Sequence, residues 1–303
     1  MNTQVKMPVG VVGLGAMGMG VALSLVREGF EVHAFDLRPE AVQKVVDAGG
    51  HAGESLAAMA KLVDVLITVV VNAEQTEAVL FGANGDSGAA AHLKPGSVVI
   101  ASATVSPEFA KALGKRLADA GLLMIDGPIS GGAAKAASGE MTIMSSGSPA
   151  AYAKCQPVLE AIAGKIYKLG DEVGPGSVVK MVNQLLAGVH IAAAGEAMAL
   201  AIRAGADPAQ VYEVITHSAG NSWMFENRVP HILAADYTPL SAVNIFIKDL
   251  GIVLDYAKKN VFPLPLSATA HQMYLQASAA GHGLEDDSAV IKMFPGISLP
   301  AKK

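Results

Sequence analysis

The stretch Met7-Pro8-Val9-Gly10-Val11-Val12-Gly13-Leu14-Gly15-Ala16-Met17-Gly18 decides how this chain is read. Met7 to Gly13 is a short, Val-rich run of the kind that forms a strand buried on both faces. It ends in Gly-x-Gly-x-x-Gly, where a helical pattern, Met17 to Glu28, begins. Gly13 permits a tight turn, Gly15 lets backbone approach a pyrophosphate, and Gly18 lets the helix pack on the strand. The helix N-terminus adds unpaired N–H donors, and Leu14, Ala16 and Met17 complete a loop fit to cradle a dinucleotide.

A carboxylate belongs about 20 residues further on, at the end of the second strand. Asp36 stands there, directly after the strand pattern Glu31 to Phe35. It would accept from both ribose hydroxyls and repel a 2′-phosphate, so NAD is the expected cofactor. Arg38 keeps NADP as a weaker alternative, because a guanidinium two residues on can partly accommodate a 2′-phosphate.

Outward from this stretch the alternation continues. Val65 to Val71, Ser97 to Ala101 and Leu122 to Ile125 read as further buried strands, with Pro39 to Ala48 and Pro107 to Ala120 as helices that open on Pro. Strand then helix, repeated, predicts an α/β fold with an N-terminal Rossmann domain, a doubly wound parallel sheet. After about residue 170 the strand signals stop. Gly174-Pro175-Gly176 precedes one Ala-rich helix, Ser177 to Ala204, about 40 Å long at roughly 1.5 Å per residue and able to connect two domains. Pro208 to Ser218, Val243 to Lys259 and Ser267 to Ala280 follow as helices, so the C-terminal domain is expected to be all-α. The expected division is residues 1–170 and 171–303, joined by that long interdomain helix.

Composition narrows the function classes. The chain has 303 residues, 51% apolar and 16% charged, enough for two cores and unlike a disordered segment. A net charge of -5 without a basic run gives nucleic acid no footprint. One cysteine, Cys155, and an opening without a long apolar core point to the cytoplasm. The apolar segment Leu185 to Ile202 contains His190 and Glu196, so it reads as a buried helix of a soluble protein, with no membrane partner. Its small side chains also suit a subunit contact in a homo-oligomer, a dimer or tetramer. The eight histidines show no ligand spacing, and no metal is expected. Neither a nucleophile elbow nor a Walker loop is present, which removes the hydrolase and kinase readings.

Three further segments carry chemistry. Asp126-Gly127-Pro128-Ile129-Ser130-Gly131-Gly132 follows a strand; Ser130, Gly131 and Gly132 offer a hydroxyl and closely spaced amides to a small carboxylate, or form only a flexible turn. Lys180 lies one turn into the long helix with Asn183 and Gln184 on its face. It either snorkels to solvent or sits in a partly dry site where it exchanges a proton with a hydroxyl. Lys248-Asp249, inside an apolar helical pattern, reads equally as an exposed pair.

In order and spacing these segments resemble the β-hydroxyacid dehydrogenase family over nearly the whole chain. The resemblance implies a site between the domains. Gly13 to Gly18 and Asp36 would hold the dinucleotide, and Asn72 and Thr104 would touch its nicotinamide side. Ser130, Gly131 and Gly132 would hold the substrate carboxylate, Lys180 would accept the hydroxyl proton, and Asn183 or Gln184 would orient the substrate. Lys248 would lie near the cofactor and, with burial, lower the lysine's proton affinity. Three departures stand out: Val70-Val71-Asn72-Ala73 where the family has a Pro-containing strand end, Ala103-Thr104 where it has Ser-Thr, and Gln184 where it often has Asn. Asn221-Ser222-Trp223-Met224-Phe225-Glu226-Asn227-Arg228 looks like the family's L-threonate dehydrogenase branch, which handles four-carbon sugar acids. Trp223 is then a substrate-side candidate, against a plain helix–helix turn with Trp223 in the core. The expected reaction is oxidation of a small hydroxy acid, most closely L-threonate. The alternatives are a tartronate semialdehyde reductase or 3-hydroxyisobutyrate dehydrogenase, an imine reductase, and a catalytically silent dinucleotide-binding module.

Overall fold

A computed structural model of the chain describes residues 6–83, 85 and 87–301. Contacts divide it into two compact units, Met1–Lys180 and Met181–Lys303.

The first unit opens as β1 (Lys6–Val12), α1 (Ala16–Arg27), β2 (Phe30–Phe35), α2 (Pro39–Asp47), β3 (His51–Ala52), α3 (Leu56–Ala60), β4 (Val65–Thr68) and α4 (Ala73–Phe81). It continues with β5 (Val98–Ala101), α5 (Pro107–Asp119), β6 (Leu123–Asp126), β7 (Ile129–Ser130), α6 (Gly132–Ser138), β8 (Met141–Gly147), α7 (Pro149–Ile162) and β9 (Ala163–Lys168). Six strands are parallel in the order β3-β2-β1-β4-β5-β6, the doubly wound arrangement, whose direction of winding reverses between β1 and β4. Val9, Val11, Val65, Ile67, Val98 and Ile100 are fully buried, as strands covered on both faces require.

The doubly wound parallel sheet stands as expected and carries a mixed edge that the sequence did not indicate. Beyond β6 the sheet turns mixed: β8 pairs antiparallel with β6 and β7, and β9 runs parallel to β8. Met141-Thr142-Ile143-Met144-Ser145-Ser146-Gly147 gave no strand signal because its end reads as a turn. Inside the fold both serines are satisfied. Ser145 Oγ donates to the Tyr167 carbonyl at 2.9 Å, and Ser146 Oγ accepts from Gly176 N at 3.0 Å.

Helix α8 (Pro175–Arg203) starts in the first unit and continues into the second, which adds α9 (Pro208–Thr216), α10 (Trp223–Ala234), α11 (Val243–Lys259) and α12 (Pro265–Ala277). The first turns of α8 group with the sheet because Ser177 and Lys180 are hydrogen-bonded to it, which puts the division ten residues beyond 170. Among the described residues, α8 alone has the length and apolarity of a membrane span. Contrary to the buried-helix expectation for Leu185 to Ile202, it is not covered all round: Leu186 and Leu200 are 48% and 69% exposed. The second unit's core gathers Ile191, Val243, Phe246, Leu250, Tyr274 and Val290. Helix α10 was not foreseen, since Pro230 lies inside it and interior Pro normally ends a helix.

Candidate active site

In the first unit, register brings the strand ends level. Val12 aligns with Phe35 and with Thr68, Thr68 with Ala101, and Ala101 with Asp126. Gly13, Asp36, Asn72 and Thr104 therefore all follow the sheet at its carboxyl edge, where ligands of such sheets bind, while Ser130 closes the short strand β7 that comes after β6.

The glycine loop has the geometry its sequence promised. Gly13 has φ +90°, and a side chain there would strike the Val69 carbonyl. At Gly18 a methyl group would run into the Gly13 carbonyl oxygen, so this position serves packing. At Gly15, the N-cap of α1, an added Cβ meets nothing within 4 Å. The glycine there serves no internal packing and leaves its backbone open to a docked group, as a pyrophosphate cradle requires. Leu14 N donates to Asp36 Oδ2 at 2.6 Å, locking the carboxylate beside the loop. Burial alone would raise the Asp36 pKa. Hydrogen bonds from the Arg38 side chain and the Leu14 and Arg38 amides, with the guanidinium charge, bring it down to about 2. Asp36 is thus held as an anion at neutral pH, and the loop and carboxylate together fit a dinucleotide.

Asn72 is the N-cap of α4, its Oδ1 accepting from Gln75 N at 2.9 Å. Its NH₂ group still faces the cofactor role that the resemblance gives it, with one lone pair of Oδ1 held by the cap. Ser130 sits in β7, and Gly131 and Gly132 follow at positive φ, with empty space where a Gly132 side chain would stand.

Lys180 is buried, 7% exposed, so the snorkelling reading fails. Its Nζ donates to the Ile129 carbonyl at 2.8 Å, one residue before Ser130. Asp126, which no motif singled out, sets this geometry. Its buried carboxylate accepts from Ser177 Oγ at 2.7 Å, Ser177 N at 2.8 Å and Gly174 N at 3.1 Å, tying the start of α8 to the end of β6. Burial pushes the Asp126 pKa up, opposed by those donors and Ser146. Lys180 follows Ser177 by one turn, so this clamp aims it.

In the second unit, Asn183 Nδ2 donates to Gln184 Oε1 at 2.9 Å and Gln184 Nε2 donates to Asp249 Oδ2 at 2.5 Å. The other Asp249 oxygen is ion-paired with Lys248 Nζ at 2.7 Å, and Asp249 is 1% exposed. Lys248-Asp249 is therefore not an exposed surface pair. Trp223 is 53% exposed at the start of α10, against the core reading. Its neighbours are engaged internally: Asn221 with Glu226, and buried Arg228 with Asn227 and with Asp287 at 2.6 Å. Among the described residues no cluster of metal-ligating side chains occurs.

Residues 8–170 match the family described as the NAD binding domain of 6-phosphogluconate dehydrogenase, and residues 174–294 that described as NAD-binding of NADP-dependent 3-hydroxyisobutyrate dehydrogenase. The chain belongs to the β-hydroxyacid dehydrogenase family. It is 68% identical to an L-threonate dehydrogenase of Cupriavidus necator over 97% of this chain and 98% of that one. A second L-threonate dehydrogenase, from Escherichia coli K12, is 53% identical over the full length of both. A crystal structure of a 3-hydroxyisobutyrate dehydrogenase from Salmonella typhimurium, 52% identical, superposes with a TM-score of 0.90 over 95% of this chain and 100% of that one. As a β-hydroxyacid dehydrogenase the protein uses NAD, with NADP as a possible second acceptor, to oxidise a hydroxy acid.

Two positions of this dehydrogenase escaped the sequence reading. Gly20 lets α6 close on α1, since a Cβ there would lie 2.5 Å from the Ala136 backbone. Asp126 lay inside a quoted segment but looked like a turn residue. The apolar residues Leu123, Met124 and Ile125 that precede it in β6 were the one available hint that the carboxylate would be buried.

Proposed function

We propose that the protein oxidises L-threonate to an oxo-tetronate with NAD, using Lys180 as the proton acceptor. The observation that carries the reading is the buried Lys180 Nζ at 2.8 Å from the Ile129 carbonyl, next to Ser130-Gly131-Gly132. A neutral lysine amine donating to that carbonyl still has a lone pair to take a hydroxyl proton. Ser130 and the amides of Gly131 and Gly132 hold the substrate carboxylate. Asn183, one turn beyond Lys180 on α8, orients the substrate, while Gln184, with both polar atoms engaged, holds Asn183 and joins it to Asp249. Leu14, Ala16, Met17 and the three loop glycines cradle the dinucleotide, with Asp36 at its ribose and Asn72, Thr104 and Lys248 toward its nicotinamide. When bound, that ring supplies the hydride acceptor. As the C–H bond breaks, Lys180 receives the O–H proton and the carbonyl forms.

L-threonate rests on the two relatives of that name, which match at 68% and 53% identity over nearly their full length. The Salmonella structure's name, at 52% identity, favours 3-hydroxyisobutyrate as a second reading. The test is NADH formation by the purified protein with L-threonate, D-threonate, D-glycerate and 3-hydroxyisobutyrate. The highest kcat/KM is expected on L-threonate. Fastest turnover of 3-hydroxyisobutyrate installs the second reading, and silence on every acid with NADH still bound leaves a silent module.

The half-exposed Val182 and Leu186 on α8 support a homo-oligomer, dimer or tetramer, which native mass spectrometry would show as a multiple of the chain mass. A cytoplasmic location is proposed with it, tested by recovery in the soluble cell fraction.

A further inference from the structure

Asp36 offers about four lone-pair sites, and this chain fills them all from within. Leu14 N and Arg38 Nη2 donate to Oδ2 at 2.6 and 3.3 Å, and Arg38 N and Arg38 Nε donate to Oδ1, both at 2.9 Å. Arg38 Nη2 also reaches across to the Leu14 carbonyl at 3.1 Å, spanning from Asp36 to the glycine loop. The guanidinium thus fills two of the acceptor sites that ribose hydroxyls would need.

The geometry points to Arg38 as an internal stand-in for the ribose, one that cofactor entry must displace and that sets the balance between NAD and NADP. This rests on the proposed placement of the dinucleotide at Asp36. Displacement needs only side-chain rotation. The Arg38 backbone is the N-cap of α2 in extended geometry, its N–H stays on Asp36 Oδ1, and Pro39 fixes the next residue. The side chain is 55% exposed, so water replaces what it leaves behind. NADH must therefore break two or three Arg38 contacts to gain its own, which holds its affinity down. NADPH breaks the same contacts, but the released guanidinium, two residues from Asp36 on a fixed backbone, can pair with the 2′-phosphate. One arginine thus penalises NAD and accommodates NADP, against the repulsion of the Asp36 anion.

Titration calorimetry of NADH and NADPH on wild type, Arg38→Ala, Arg38→Gln and Asp36→Asn tests this. Loss of the guanidinium should tighten NADH roughly two- to fivefold, the modest size fitting a half-exposed ion pair. It should weaken NADPH roughly tenfold or more, because a charge-assisted phosphate contact disappears. NADH affinity that is unchanged or weaker in both Arg38 variants would overturn the stand-in role. Asp36→Asn separates this from failure of the underlying reading: it should weaken NADH, and unaltered NADH affinity there would mean that the ribose does not sit at Asp36. Thermal melts of all three variants confirm that the compared proteins are folded.

Discussion

The two units hold their polar groups by different means. In the first, backbone does most of the work: level strand ends, three glycines and the amides of Leu14, Gly174 and Ser177 place one carboxylate beside the loop and another beneath α8. In the second, side chain holds side chain, as in the run Asn183, Gln184, Asp249, Lys248 and the buried pair of Arg228 with Asp287. A backbone-built site tolerates most substitutions and fails at particular glycines. A side-chain relay fails wherever one member is changed, because a buried partner is left unpaired.

The largest effect that separates the two arrangements is expected inside the glycine loop. Gly18→Ala drives a methyl into the Gly13 carbonyl and should cost about 3 kcal/mol or more, read as a lowered melting temperature. Gly15→Ala, three residues away, should leave stability within about 0.5 kcal/mol and weaken NADH roughly tenfold or more, since its methyl enters the open cradle. Equal losses of stability in the two variants would break the distinction between packing and docking glycines.

Asp249→Asn tests the relay. Lys248 loses the Asp249 charge beside it and Gln184 loses a charged acceptor, so kcat/KM should fall roughly ten- to a hundredfold with NADH affinity little changed. Steady-state kinetics beside calorimetry reads both quantities; unchanged kinetics would make the network purely structural. The smallest effect is expected at Val261, a β-branched residue held at φ +53° in the turn after α11. Val261→Gly should stabilise the protein by about 0.5–1 kcal/mol in a denaturant melt, by removing left-handed strain.

What could be read from sequence follows the same division. The strand, the Gly-x-Gly-x-x-Gly loop and Asp36 obey fixed spacings because backbone geometry dictates them, and they stand where their spacing predicts. Lys180 was visible as a candidate, but its burial was not, since a lysine among valines fits a dry or a solvated helix face equally. The clamp that aims it joins Asp126 to Ser177, residues 51 apart, and only folding brings them together. The antiparallel edge was hidden because Ser145, Ser146 and Gly147 look like a turn until their partners Tyr167, Gly176 and Asp126 are known. Sequence shows the Arg38 charge as suited to a phosphate, while in the fold its guanidinium is held by Asp36 and the Leu14 carbonyl, contacts that spacing alone does not reveal.

The most direct measurement of the central claim compares wild type with Lys180→Ala in L-threonate oxidation across pH, alongside NADH titration. Wild-type turnover should rise with pH, because only the neutral amine accepts the hydroxyl proton. Lys180→Ala should lose roughly two to four orders of magnitude in kcat and keep NADH affinity within about twofold. A variant that retains most of its turnover with the same pH profile would contradict the assignment of Lys180 as the proton acceptor.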